Sequence, residues 1–183
     1  MASDKFRLLF SYQAYLGLRM RKVVRLNIQN INLENRELTI KTEKARVLDL
    51  LLIPEPLFME TLTFIRKHET EIQKAHGYLF YTENSKSQRA ELFPEQNYVR
   101  DEFKHYMRLA GLDETYEVSE ESQNRTPRTL HRLTTYSPRH YAITRFARQT
   151  NDNLVLTSSS SAIAVRIRQW STSARASGSC TSR

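Results

Sequence analysis

From Asp4 to Val24 apolar residues crowd the chain at helical spacing. Phe6, Leu8, Leu9, Phe10, Tyr12 and Tyr15 lie in the first part, and Leu18, Met20, Val23 and Val24 in the second. Gly17 separates the two, which predicts a pair of helices with a break and places Arg19 at the start of the second. The pattern then turns β-like. Leu26, Ile28, Ile31 and Leu33 lead to a turn at Glu34-Asn35-Arg36, and Glu37 to Lys41 alternates with period two. Leu38 and Ile40 share one face there, and Thr39 and Lys41 the other. Thr42 to Ala45 turns, and the run from Arg46 to Ile53 completes a hairpin with Lys41 at the end of its first strand.

Pro54-Glu55-Pro56 opens an amphipathic helix carrying Leu57, Phe58, Leu62, Ile65 and Ile72, predicted to run to about Lys74. Gly77 to Tyr81 reads as a short buried segment and Thr82 to Glu91 as a polar loop. Pro94 starts another helix, with Tyr98, Val99, Phe103, Tyr106, Met107 and Ala110 on its apolar face and Gly111 as its cap. Leu112 to Arg128 is polar and predicts a loop. In Thr134 to Arg145, Ser137 suits an N-cap and Pro138 the first helical position, where its missing N–H leaves nothing unpaired. Ala142, Ile143, Phe146 and Ala147 supply the buried stripe. A helix starting here presents free N–H groups and Arg139 together, which suits an anion such as phosphate. By itself the stretch favours the simpler reading, a capped amphipathic helix with a solvated arginine.

Composition narrows the classes. The chain has 183 residues, 39% of them hydrophobic, enough for one domain with a core. No stretch approaches a membrane span, and the first residues do not form a signal peptide, so no membrane association is expected. The single Cys180 excludes a disulfide framework and a cysteine zinc site, and points to a reducing, cytoplasmic setting. The formal charge of +8 favours a polyanionic partner. That charge is concentrated. Between Ser122 and Asn151 there is no acid, while Arg125, Arg128, Arg132, Arg139, Arg145 and Arg148 all occur. From Thr157 to Arg183 the chain is rich in serine, threonine and arginine, without acids, and reads as a disordered basic tail.

Three separated pieces now stand in order: Gly17-Leu18-Arg19 after a helix, Ile40-Lys41-Thr42 at a hairpin tip, and Tyr136-Ser137-Pro138-Arg139-His140 opening a late helix. This order resembles the catalytic domain of the tyrosine recombinases, the phage-integrase family, over roughly residues 5 to 156. The resemblance implies an α+β, mainly helical fold with a small antiparallel sheet, a DNA breaking–rejoining domain over residues 1–156 followed by the tail 157–183. It also implies residue roles. Arg19 and Arg139 match the two phosphate-binding arginines, and Lys41 the hairpin lysine that protonates the leaving 5′ oxygen. Tyr136 stands where most members carry a histidine; it keeps a hydroxyl for a phosphate oxygen but cannot serve as a near-neutral base. His140, Arg128, Arg132 and Arg145 are the expected DNA-binding cations around them. Lys22 departs from the pattern, because an acid is usual three residues after the first arginine.

The implied chemistry suits these residue types. Attack on a phosphodiester gathers negative charge on its non-bridging oxygens, and two planar guanidiniums clamp those oxygens while staying charged at any working pH. A tyrosine nucleophile conserves the bond energy in a phosphotyrosyl link, so no metal or other cofactor is expected. Double-stranded DNA and further recombinase protomers are the expected partners, with a nucleoid location if the source is prokaryotic. The nucleophile is missing, however. The last tyrosine is Tyr141, too close to Arg139, and Trp170 is the only aromatic beyond Phe146. Codons for Ser161 to Thr172 read in a shifted frame permit Gly-His-Ser-Ser and, further on, Thr-Thr and Tyr at the family's spacing. A frameshift near residues 154 to 161 and a natural Ser-rich tail both fit, and the encoding nucleotides decide between them. The short stretch before Arg19 also suggests a fragment lacking the family's clamp domain. Site-specific strand cleavage and rejoining is thus the ancestral activity implied. A non-catalytic DNA-binding remnant is the alternative, and a helical regulator outside the family is a third.

Overall fold

The computed structural model describes residues 3–41, 48–82, 94–119 and 128–149. Helix α1 spans Asp4–Leu16 and ends at Gly17, whose φ of 62° reverses the chain. Helix α2, Met20–Val23, follows at once with Arg19 as its cap. The two-helix reading with a break at Gly17 therefore holds. A left-handed residue at this place favours glycine because a side chain would be strained.

The β-like run after Val24 is mostly not strand. Asn27 accepts from the Gln29 amide and Asn30 accepts from the Asn27 amide, and this local pairing winds Ile28–Asn30 into a 3-10 turn. Only Ile31–Asn32 remains as strand β1. Strand β2, Glu37–Lys41, has the expected alternation, with Leu38 and Ile40 buried and Lys41 exposed. It pairs antiparallel with β1 and with β3, Leu48–Leu52, in a three-stranded sheet of order β1-β2-β3. The hairpin turn at Thr42 to Ala45 lies outside the described residues.

The helix expected to run to Lys74 is broken. Helix α3 spans Glu55–Lys67, and α4 spans Glu69–Lys74. Between them His68 leaves helical geometry and meets the Tyr81 hydroxyl through Nδ1 at 3.2 Å. Gly77 then turns at φ 87°, where a β-carbon would stand 2.8 Å from Asn27 Oδ1. The close approach lets the Ile28 amide reach the Gly77 carbonyl and the Leu79 amide the Leu26 carbonyl. Leu79, Phe80 and Tyr81 are buried as the sequence suggests.

Helix α5, Gln96–Leu109, buries Val99 and Phe103 but leaves Tyr98 and Ala110 exposed. Gly111 has the expected left-handed geometry just past its end. The loop expected from Leu112 to Arg128 contains a strand instead. Strand β4, Thr115–Ser119, pairs antiparallel with β5, Arg128–His131. Charged and polar side chains masked this strand, because the hairpin lies on the surface and Glu117 and Tyr116 both face water. Asp113 ties its base to α5, with Arg108 Nε at 3.3 Å and His131 Nδ1 at 2.7 Å. Helix α6, Ser137–Gln149, closes the described fold against α1. Its apolar stripe falls as expected, Ala142 and Phe146 buried and Ile143 and Ala147 half-buried. The tail 157–183 lies outside the described residues.

The core gathers α1, the sheet, α3 and the 79–81 segment. Tyr12 and Thr61 are fully buried within it. Thr61 donates to the Leu57 carbonyl at 2.7 Å, so its single proton is used and the Tyr12 hydroxyl donates to Thr61 Oγ1 at 3.0 Å. Burial pushes the Tyr12 phenol far above its ordinary range, which keeps it a neutral donor. Gln13, also fully buried, has no such arrangement. Neither of its side-chain polar atoms has a partner among the described residues. Each such atom costs about 1–3 kcal/mol, whereas an apolar side chain of like shape costs nothing comparable. Gln13→Met is therefore expected to raise the thermal midpoint, and a lowered midpoint would show that the amide is satisfied.

Candidate nucleic-acid interface

The C-terminal end of α1 and the N-terminal turn of α6 meet. Gly17 lies at this contact, where a β-carbon would meet the Ala142 side chain at 3.6 Å, an ordinary van der Waals distance. Across the contact Arg139 Nη1 donates to the Gly17 carbonyl, a partner 122 residues away in sequence. Two residues after Gly17 stands Arg19. Partial burial is the main cause that lowers the Arg139 pKa, and the charge of Arg19 is the second, so the two guanidiniums share one neighbourhood. Neither has a carboxylate partner among the described residues. Two like charges held together without a counter-ion form a site that favours an anion.

The entry to α6 is built differently from the sequence expectation. Ser137 is the first helical residue rather than the cap. The turn before it is held by Thr134, whose Oγ1 accepts from the Tyr136 amide at 3.3 Å. Ser137 reciprocates by accepting the Thr134 amide at 2.9 Å through Oγ. The Ser137 hydroxyl is thus engaged in the preceding turn. Tyr136 is thereby placed in the entry turn with its side chain 52% exposed, its carbonyl accepting the His140 amide at 3.0 Å.

The end of β2 at Lys41 is tied to α2. The Lys22 ammonium on α2 donates to the Lys41 carbonyl at 2.6 Å, and the Lys22 amide itself bonds the Arg19 carbonyl at 2.8 Å. Sequence reasoning treated Lys22 only as a departure from a pattern. A basic residue one helical turn after Arg19 was its sole visible signal, since its partner lies on another element. The remaining expected cations are distributed. His140 and Arg145 lie exposed on α6. Arg132 is paired with Glu114 at 2.9 Å, so the acid-free block meets an acid across the hairpin. Arg128 opens β5 opposite Ser119, away from the α1–α6 junction in sequence and element. Tyr141 stands two residues after Arg139, about 200° round the helix axis at 100° per residue. It is 58% exposed while Ala142 and Phe146 are buried, so it faces away from the junction.

Among the described residues no helix is long and apolar enough to cross a membrane, and no cluster of three or more His, Cys, Asp or Glu is suited to a metal. No protein-family model matches the sequence. No curated protein matches it significantly. Solved structures do resemble it in fold. The integrase from mycobacterium phage Brujita superposes with a TM-score of 0.59 at 16% identity, covering 93% of this chain and 50% of that one. The XerH site-specific recombinase in a post-cleavage complex with a palindromic difH substrate gives 0.59 at 17% identity, covering 89% of this chain and 40% of that one. The XerA recombinase gives 0.51 at 14% identity, covering 81% and 50%. The chain thus spans half or less of the length of these proteins. Its α+β, mainly helical architecture with a small antiparallel sheet is the fold shared with these integrase and recombinase structures.

Proposed function

We propose that this chain is a DNA-binding recombinase domain of the tyrosine-recombinase type, acting on a phosphodiester of double-stranded DNA. The observation that carries the reading is the uncompensated pair Arg19 and Arg139 at the junction of α1 and α6. Arg139 is anchored through Nη1, which leaves its other N–H groups and those of Arg19 for phosphate oxygens. Tyr136, in the entry turn, offers its hydroxyl to the same phosphate. His140 and Arg145 extend the positive surface along α6. Arg132, paired with Glu114, and Arg128 lie on the β4–β5 pair and not at this junction.

Strand cleavage by this scheme moves one bond for another. A tyrosine hydroxyl gives its proton to solvent as its oxygen attacks phosphorus and forms the phosphotyrosyl ester. The bond to the 5′ oxygen breaks, and Lys41 gives that oxygen its proton. The arginines hold the charge on the non-bridging oxygens throughout. Within residues 1–183 no tyrosine follows Tyr141, so the attacking hydroxyl comes from outside these residues. A tyrosine-bearing recombinase partner would supply it. For the chain by itself this leaves a second reading, a DNA-binding remnant or regulator without strand transfer, favoured by the outward direction of Tyr141.

A nicked suicide duplex separates the two. The expected result for the chain alone is salt-sensitive binding with no covalent adduct. Adding a tyrosine-bearing partner is expected to yield the adduct if Arg19, Lys41 and Arg139 are competent. Binding without any adduct under both conditions supports the remnant, and absence of duplex binding at low salt sinks both.

A further inference from the structure

The bond between Lys22 and Lys41 joins the two elements that carry the clamp and the proton donor. Lys22 lies one helical turn after Arg19, and its amide bonds the Arg19 carbonyl. Its ammonium reaches out of α2 to the last described residue of β2 and donates to the main-chain carbonyl there at 2.6 Å. A charged donor on a carbonyl is stronger than a neutral one and short, as found here. The acid that the family pattern would place at this position cannot make this bond, because a carboxylate has no proton to give a carbonyl. The substitution therefore changes what the residue can hold. A carboxylate would brace an arginine, whereas Lys22 braces the strand end bearing Lys41.

We propose that Lys22 is a positioning residue that fixes the end of β2 relative to Arg19 and Arg139, so that the Lys41 side chain stands over the phosphate held by the two arginines. This rests on the phosphate-clamp reading above. Lys41 is exposed and terminates the described part of its strand, so its side chain has no wall of its own to direct it. The neighbouring strand pairs it through Leu48, which sets the sheet plane but not the distance to α2. Lys22 sets that distance. The bond acts on the main chain, so it constrains the root of the side chain and leaves the ammonium of Lys41 available to a ligand.

The test needs neither the target sequence nor the missing nucleophile. Pyridoxal 5′-phosphate carries a phosphate and an aldehyde on one rigid ring. Bound by its phosphate in the full-length chain and reduced with borohydride, it labels the lysine that stands over the site, identified by peptide mass. Lys41 is expected to take the label, and excess inorganic phosphate or Arg139→Ala is expected to suppress it. Lys22→Met is expected to lower Lys41 labelling on the order of tenfold, since a misplacement of about 1 Å costs up to ~10²-fold in positioned reactions. Lys22→Arg, which keeps a donor, is expected to restore it, whereas a merely structural loss would show as a lowered thermal midpoint in both variants. Unchanged labelling in Lys22→Met, or labelling of Lys22 in place of Lys41, overturns the positioning role. Labelling that ignores both phosphate and Arg139→Ala overturns the clamp itself.

Discussion

Arg139→Ala is expected to weaken duplex binding about ten- to a hundredfold at low salt, and to reduce the slope of log affinity against log salt by about one. The affinity loss corresponds to the ~1.5–3 kcal/mol typical of hydrogen bonds made by a charged group. The same substitution is expected to destabilise the fold, because the Gly17 carbonyl loses its donor at a half-buried junction. Arg19→Ala separates the two effects. Arg19 is exposed and its charge opposes that of Arg139, so its removal relieves repulsion while deleting a phosphate contact. Weaker DNA binding with an undiminished thermal midpoint is the expected result for Arg19→Ala. Arg139→Lys keeps the charge but not the fork, and is expected to preserve the salt slope while losing part of the affinity. Fluorescence anisotropy on a duplex across a salt series measures all three. A wild-type slope and affinity in Arg139→Ala would remove Arg139 from the interface.

Phe80→Ala is expected to cost ~3–5 kcal/mol, the range for emptying a buried aromatic site. Phe80 is fully buried and its ring meets Tyr12 edge-on, with centroids 6.3 Å apart. Tyr12 is in turn fixed to Thr61 on α3, so the cavity would open where α1, α3 and the 79–81 segment join. At ~2–4 °C per kcal/mol for a domain of this size, the midpoint should fall by about 10 °C. Tyr116→Ala is the control, since its side chain is 65% exposed and should change stability by less than about 0.5 kcal/mol. A calorimetric scan of both variants distinguishes them, and equal midpoints would mean that Phe80 is not part of a cooperative core.

The two sets of substitutions probe different levels of the molecule, and these levels differ in how far they could be read from sequence. Glu37–Lys41 was legible because alternation of Leu38 and Ile40 with Thr39 and Lys41 is a local property of a half-buried strand. Gly17 and Gly111 were legible because a chain leaving a helix through left-handed geometry selects glycine. Where the reading failed, a local rule met a competitor. Asn27 and Asn30 drew the following turn into a 3-10 helix although Leu26, Ile28 and Ile31 look like strand. His68 ended α3 within an otherwise helical pattern, held by Tyr81 from the buried segment beyond Gly77. Ser137 is the first residue of α6 and not its cap, its hydroxyl accepting the Thr134 amide in the turn before the helix. Thr115–Ser119 formed a strand without apolar alternation, because the partner supplied by β5 satisfies its backbone and water takes its side chains.

By itself the sequence determined the sizes and types of most elements, the buried faces of β2 and α6, the basic character of the chain, and the order of Arg19, Lys41 and Arg139 along it. These follow from periodicity, capping preference and charge, all of which act over a few residues. Only the tertiary structure decided that Arg139 is anchored on the carbonyl of Gly17, that Arg19 shares its neighbourhood, and that Lys22 holds Lys41. The physical reason is that these contacts depend on how α1 packs against α6 and how the sheet meets α2. Such packing is set by the shape of buried surfaces from distant parts of the chain, here by α1 and α6, which bring Gly17 beside Ala142.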